Sequence, residues 1–247
     1  MPETFALVRL LNDLFMGIEV KAFQSIGLQP AVAAHKAIAV NQTLGLELLV
    51  VAGLILFFVI VRVSLVVERA NPAQGIAEYI HEIIGGQAEQ VIGQGYERFQ
   101  AFVTCIFLFV LFNNLVGLIP GVVTPTSQPW VPLGLAFPAF LYYNFHGIRA
   151  NGPLGYLKQF LGPIWWLAPL IFIIEVISHL ARILSLTVRL YANMLASDLL
   201  TLVAFSMVPF LLPAVPLGLH AFISLIQAFV FMLLTMIYLS LAVAHEH

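Results

Sequence analysis

Four charged side chains, Glu175, Arg182, Arg189 and Asp198, interrupt a run from Leu170 to Val208 that is otherwise largely apolar and contains no Gly or Pro. A charge at the middle of a bilayer costs roughly 2.5–3.5 kcal/mol on insertion scales, so four unpaired ones would cost on the order of 10 kcal/mol. They therefore require partners, water or neutralisation, and charges of this kind mark ion pathways or partner contacts. At about 100° per residue, Glu175, His179, Arg182, Arg189, Asn193 and Ser197 fall within roughly 40° of one line along a helix, while Asp198 lies about 180° from Arg189. Carboxylates and imidazoles, with reference pKa values near 4 and 6.5, relay protons near neutral pH, whereas a guanidinium keeps its own. The pattern predicts two half-pathways, one at Glu175 and one at Asp198, divided by a fixed cation at Arg189 that blocks direct leakage and can attract a carboxylate from a partner.

The element that must carry these residues is unusually long. At about 1.5 Å per residue the run would extend roughly 58 Å, against a hydrocarbon core about 30 Å thick, which predicts a steeply tilted helix. A Pro-rich turn with Pro209, Pro213 and Pro216 follows, then a last apolar helix from Leu217 to Val243. If the two helices form an antiparallel hairpin over residues 164–243, facing residues have position numbers with a nearly constant sum. Asp198 then falls opposite His220, Asn193 opposite Ser224, Arg189 opposite Gln227 and Arg182 opposite Thr235. His220, Ser224, Gln227 and Tyr238 also share one face of the last helix, giving it a polar stripe of its own.

The rest of the chain reads as membrane protein. Of its 247 residues 61% are hydrophobic and only 9% charged, which excludes an ordinary soluble domain. The net charge of −2, without a basic cluster, gives no sign of nucleic-acid binding. Cys105 is the single cysteine, so an internal disulfide or a cysteine metal site is excluded; no cofactor or metal is expected.

Apolar runs at Leu44–Val67, Phe99–Ile119, Val131–Phe145, Leu170–Val208 and Leu217–Val243 predict about five crossings. Residues 73–94, with Ile76, Ile80, Ile83 and Ile84 among Glu78, Glu82 and Glu89, suit one amphipathic helix at the interface or on a soluble partner. The expected fold is an all-α polytopic membrane protein with a long, steeply tilted C-terminal hairpin, its integral domain spanning 44–247. Residues 1–43 form a separate N-terminal segment, in which 4–26 could make an amphipathic surface helix. A polar loop with Arg149 and Lys158 is expected after Phe145. Basic residues at 62–69, 98, 149 and 158 place those loops inside and the uncharged loops near 125 and 212 outside, with the N-terminus external and the C-terminus cytoplasmic. Arg9, Asp13, Glu19 and Lys21 interrupt any signal-peptide core, and the acids argue against a transit peptide, so a bacterial inner membrane is the expected location.

The run Arg182-Ile-Leu-Ser185-Leu-Thr-Val-Arg189-Leu-Tyr-Ala-Asn193-Met, with Gln227-Ala-Phe-Val-Phe-Met-Leu-Leu-Thr-Met-Ile-Tyr238-Leu-Ser, resembles subunit a of F-type ATP synthases. The resemblance extends through Asn114-Leu-Val-Gly-Leu-Ile-Pro120 and Glu175-Val-Ile-Ser-His179, covering roughly residues 44–247. It implies a non-catalytic, proton-conducting stator against a rotating c-subunit ring, held with peripheral-stalk b subunits and the remaining ATP synthase subunits in the bilayer. By the same resemblance Arg189 is the essential cation facing the ring carboxylate. Asn193, Asp198, His220 and Gln227 match the outer half-channel, and Glu175 matches the inner exit; Ser224, His179, Arg182 and Tyr238 join them as pathway candidates. Asp198 stands where Glu or His is more usual, so the reach to His220 is a methylene shorter, and Ile183 replaces a frequent Pro.

Blander readings accompany these. Arg189 could pair with a local acid, Asp198 with His220 could merely hold the hairpin, and Asn113, Asn114 and Tyr143 read as interhelical packing. His146, His245 and His247 read as solvated ends. A secondary ion or solute transporter is the alternative function, although internal repeats of broken helices are not found. An intramembrane hydrolase fits less well, because Ser178 and His179 point about 100° apart on a helix.

Overall fold

A computed structural model describes residues 42–63, 72–119, 122–161, 166–207 and 213–243. Among them are six α-helices: α1 Gln42–Val63, α2 Pro72–Ile92, α3 Glu97–Val116, α4 Trp130–Leu161, α5 Ala168–Met207 and α6 Ala214–Val243. A 3₁₀ turn, Pro125–Ser127, sits between α3 and α4. The surface helix expected over 4–26, the charged end of the first span beyond Val63 and the tail at 244–247 lie outside the described residues.

The chain divides within α1 into two units, residues 1–53 and 54–247. Helix α1 is a run of 22 residues whose one basic side chain in the last turn is Arg62, in keeping with a membrane span that ends at a charged boundary. Four described helices, α1, α3, α5 and α6, are long and apolar enough to cross a membrane. Helix α4 has the length, but Trp130, Pro138, Tyr142, Tyr143 and Asn144 dilute its apolar run. The fold is therefore all-α and polytopic.

Within residues 54–247 the last helix is the common partner. Its buried face includes His220, Ser224, Gln227, Ala228, Phe231, Met232, Thr235, Met236 and Leu239. One core cluster joins Ile106 and Val110 of α3, Ala136 and Ala139 of α4, Leu186, Leu190 and Met194 of α5, and Ala228 and Phe231 of α6. Small residues at this junction let helices approach closely, which matters in lipid because association rests on packing rather than on escape from water. A second cluster sets Ile84 and Ala88 of α2 against Val103 of α3 and Met232 and Met236 of α6. The amphipathic helix thus turns an apolar face to the bundle and leaves Glu78, Glu82 and Glu89 exposed.

One element departs from expectation. The polar stretch after Phe145 is helical, because α4 runs on to Leu161, and its break comes later, at Gly152 (φ 71, ψ 161) followed by Pro153. That backbone conformation is open to glycine and strained for other residues, so the chain bends there instead of unwinding into a loop. His146 consequently sits among rings rather than at a solvated end, 5.0 Å from Phe99 and 4.5 Å from Tyr142 between centroids. Helix α5 is 40 residues long. At about 1.5 Å per residue it extends about 60 Å, twice the hydrocarbon thickness, so it cannot stand upright within it.

Candidate functional site

Most of the candidate residues form two clusters with Arg189 between them, and Asn193 with Gln227 forms a separate pair. Helices α5 and α6 run antiparallel, since Asp198 lies by His220, Asn193 by Gln227 and Arg182 by Tyr238. In the first cluster His220 Nδ1 is 3.7 Å from Asp198 Oδ1, and its Nε2 is 3.0 Å from the carbonyl oxygen of Asn114. A carbonyl can only accept, so in the neutral imidazole Nε2 carries the proton and Nδ1 faces the carboxylate with its lone pair. The His220 side chain is 1% exposed and that of Asp198 is 19% exposed, so the carboxylate is the end of the pair that meets the surroundings. Asp198 also lines a cavity of about 330 Å³, with Ser127 and Gln128 beside it and apolar walls that include Ile119, Leu202 and Phe205.

The chain between α3 and α4 supplies the rest of this cluster. Thr124 donates from its backbone N–H to Asp198 Oδ2 at 3.2 Å and from its hydroxyl to Asp198 Oδ1 at 2.6 Å. Thr126 Oγ1 donates to Asn114 Oδ1 at 2.5 Å. Asn114 therefore serves His220 through its backbone and the 3₁₀ turn through its side chain, which makes it part of the site as well as an interhelical packing residue. Thr124 and Thr126 were invisible as site residues in the sequence. Their only signal is that residues 122–128 hold three hydroxyl side chains and an amide without a charge, in a connection between two apolar runs.

Further along the hairpin Asn193 Nδ2 donates to Gln227 Oε1 at 3.0 Å. The register sum had set Asn193 opposite Ser224 and Arg189 opposite Gln227. In the structure Gln227 belongs to Asn193, and Ser224 Oγ is buried with no hydrogen-bond partner among the described residues. The offset is about one turn, which a glutamine side chain spans while its helix keeps the same register. Arg182 lies near Thr235, as the register has it, and its Cζ is 5.1 Å from the centroid of the Tyr238 ring, within cation–π range, while the Thr235 hydroxyl bonds to the Phe231 carbonyl.

The second cluster is built on the N-terminal half of α5. Glu175 Oε1 is 3.5 Å from His179 Nε2 and 3.9 Å from Arg182 Nη2. His179 Nδ1 is hydrogen-bonded to the Tyr143 hydroxyl at 2.9 Å, which ties the cluster to α4. Tyr143 is buried and its ring stacks on His179, so it too belongs to the site.

Arg189 belongs to neither group. Its side chain is exposed, and no ion pair among the described residues includes it. On the same face of α5, Ser185, Ala192, Asn193 and Ala196 are also exposed. Small side chains around a single cation leave a shallow lane along the helix, suited to close approach by another helix.

The family model for the ATP synthase A chain matches residues 46–240. The chain belongs to the ATP synthase subunit a family. It is 44% identical to the ATP synthase subunit a of Koribacter versatilis over 247 residues, covering all of both chains. It is 47% identical to that of Solibacter usitatus over 202 residues, which are 82% of this chain and 87% of the relative. Against the Bdellovibrio bacteriovorus protein the identity is 42% over 175 residues, 70% of this chain and 76% of the relative. Membership in this family makes the chain an integral membrane component of an ATP synthase, concerned with ion transport in ATP synthesis, and decides against the secondary transporter.

Proposed function

We propose that this member of the ATP synthase subunit a family is the proton-conducting stator, with two half-channels that serve the carboxylates of a c-subunit ring. The observation that carries this reading is Arg189: exposed, unpaired among the described residues, and set along α5 between two separately bonded polar clusters. An unpaired guanidinium on the exposed face of a membrane helix is stable in lipid only if something anionic or aqueous meets it. In the proposed cycle a proton enters through the cavity at Asp198, passes His220, Asn193 and Gln227, and neutralises a ring carboxylate. It returns after rotation to leave inward past Glu175, His179 and Arg182, with Tyr238 beside them. Ser224 lines the outer path. Arg189 pairs with the emptied carboxylate and prevents the two paths from joining. The titratable Asp198 and His220 favour protons over sodium as the coupling ion.

The same reading supplies the arrangement in the cell: a bacterial inner membrane, five crossings with α4 as one of them, the N-terminus outside, the C-terminus in the cytoplasm, and peripheral-stalk b subunits as further partners. The contact with the ring is tested by cysteine cross-linking in the assembled complex, in a Cys105→Ser background. Ala192→Cys and Ala196→Cys, both on the Arg189 face, are expected to form disulfides with cysteines on the carboxylate-bearing ring helix. Ala228→Cys, which is fully buried, should not. Failure of both exposed positions while the complex remains assembled overturns the placement of the ring on this face.

A further inference from the structure

We infer that Thr124 is a positioning residue for the Asp198–His220 pair, and that Gly117 is the gap that admits it; the inference rests on the proton pathway proposed above. Asp198 Oδ1 and His220 Nδ1 are 3.7 Å apart, beyond a hydrogen bond. The aspartate is too short to be anchored by the imidazole alone. What holds it is Thr124, through two donors on the two carboxylate oxygens. A hydroxyl to carboxylate bond of 2.6 Å is in the range of strong, charge-assisted hydrogen bonds.

Thr124 is itself held on all sides. It is fully buried. Its backbone is extended (φ −60, ψ 126), as expected for a residue before proline, and Pro125 opens the 3₁₀ turn that follows. Its carbonyl accepts from the Ser127 hydroxyl at 2.7 Å and from the Ser127 N–H at 3.0 Å. The turn is fastened to α3 by the bond from Thr126 to Asn114, whose carbonyl also fixes His220. The segment thus holds Asp198 directly and is fastened to the residue whose carbonyl holds His220.

The approach requires glycine at 117. A Cβ added there would overlap Thr124 Oγ1 and come within 2.9 Å of the His220 ring. Ring and turn are both packed, so neither can withdraw without disturbing the other. Even alanine at this position would push the hydroxyl from the carboxylate or the imidazole from the Asn114 carbonyl.

The test uses complete complexes reconstituted in vesicles and stripped of the catalytic head, with passive proton conduction as readout, in amounts normalised to assembled subunit. Thr124→Val keeps shape and loses the hydroxyl, and is expected to slow conduction about tenfold or more. Thr124→Ser keeps the hydroxyl and loses only the methyl, and is expected to recover most of it. A merely structural role would lower the amount of assembled complex and leave conduction per assembled subunit unchanged in both variants. Gly117→Ala is expected to slow conduction as Thr124→Val does, and decides the matter if the valine variant does not assemble. Wild-type conduction in the assembled Thr124→Val complex, or in Gly117→Ala, overturns the inference. Asp198→Asn separates the two levels: if it abolishes conduction while Thr124→Val does not, only the positioning role falls. If it conducts as the wild type does, the pathway falls with it.

Discussion

At the scale of single residues, the polar groups of the hairpin differ in how much each is asked to do. Gln227 is buried and bonded to the exposed Asn193, so it links the interior of the bundle to the surface on which Arg189 sits. Removing one neutral hydrogen bond costs about 1 kcal/mol. Gln227→Leu is therefore expected to slow ATP-driven proton pumping by less than about tenfold while leaving assembly intact, measured in reconstituted vesicles. Complete loss would instead mean that the Asn193–Gln227 link is indispensable to the pathway. The charged and titratable residues stood out in the sequence because each is conspicuous in an apolar run and because their spacing fits one helical face. Thr124 did not, and Asn114 stood out only as a packing residue and as part of the family resemblance. A hydroxyl in an uncharged connection and an amide at the end of an apolar helix carry no periodic signal, and only the fold brings Thr124 to a carboxylate 74 positions away and Asn114 to an imidazole 106 positions away. The pairing of Asn193 with Gln227 rather than Ser224 was lost for a related reason, since register gives depth while side-chain length chooses the partner.

At the scale of elements, α6 is the helix on which the others are assembled, and α5 is the one that presents the chemistry. Helix α5 turns Leu186, Leu190 and Met194 inward against Ala228 and Phe231 of α6, while its other side stays exposed. Ala228 is fully buried at that junction. Ala228→Leu is expected to destabilise the hairpin by about 1–3 kcal/mol through overpacking, whereas Leu225→Ala, at an exposed position, should change little. The abundance of the subunit in membranes and the heat resistance of the purified complex report the difference. Equal behaviour of the two variants would contradict the close packing of α5 on α6. The helices themselves were legible from apolar length and from Pro and Gly boundaries. The continuation of α4 past Phe145 was not, because Arg149 and Lys158 read as loop residues until Tyr156 is seen to bond Asn144 and Asn151 to bond the carbonyl of Ala242. Tertiary contacts there override composition.

At the scale of the whole molecule, the arrangement follows from keeping two polar clusters apart in a chain that must be apolar almost everywhere else. Glu175, His179, Arg182, Tyr143 and Tyr238 close one end, and Asp198, His220, Thr124 and Asn114 close the other. Along α5, Arg189 is about 21 Å from Glu175 and about 13.5 Å from Asp198. Neither distance is bridged by a chain of bonded side chains among the described residues, so a proton moving from one cluster to the other needs a carrier. In the proposed function the ring is that carrier and the guanidinium guards the gap.

The most direct test replaces Arg189 with alanine in the complete complex, reconstituted in vesicles, and scores two quantities on the same preparation: ATP-driven acidification, and passive proton leak after the catalytic head is removed. Pumping is expected to be lost while leak is retained or increased, because the two half-channels persist and the barrier between them does not. Unchanged pumping would contradict this and return Arg189 to a structural role.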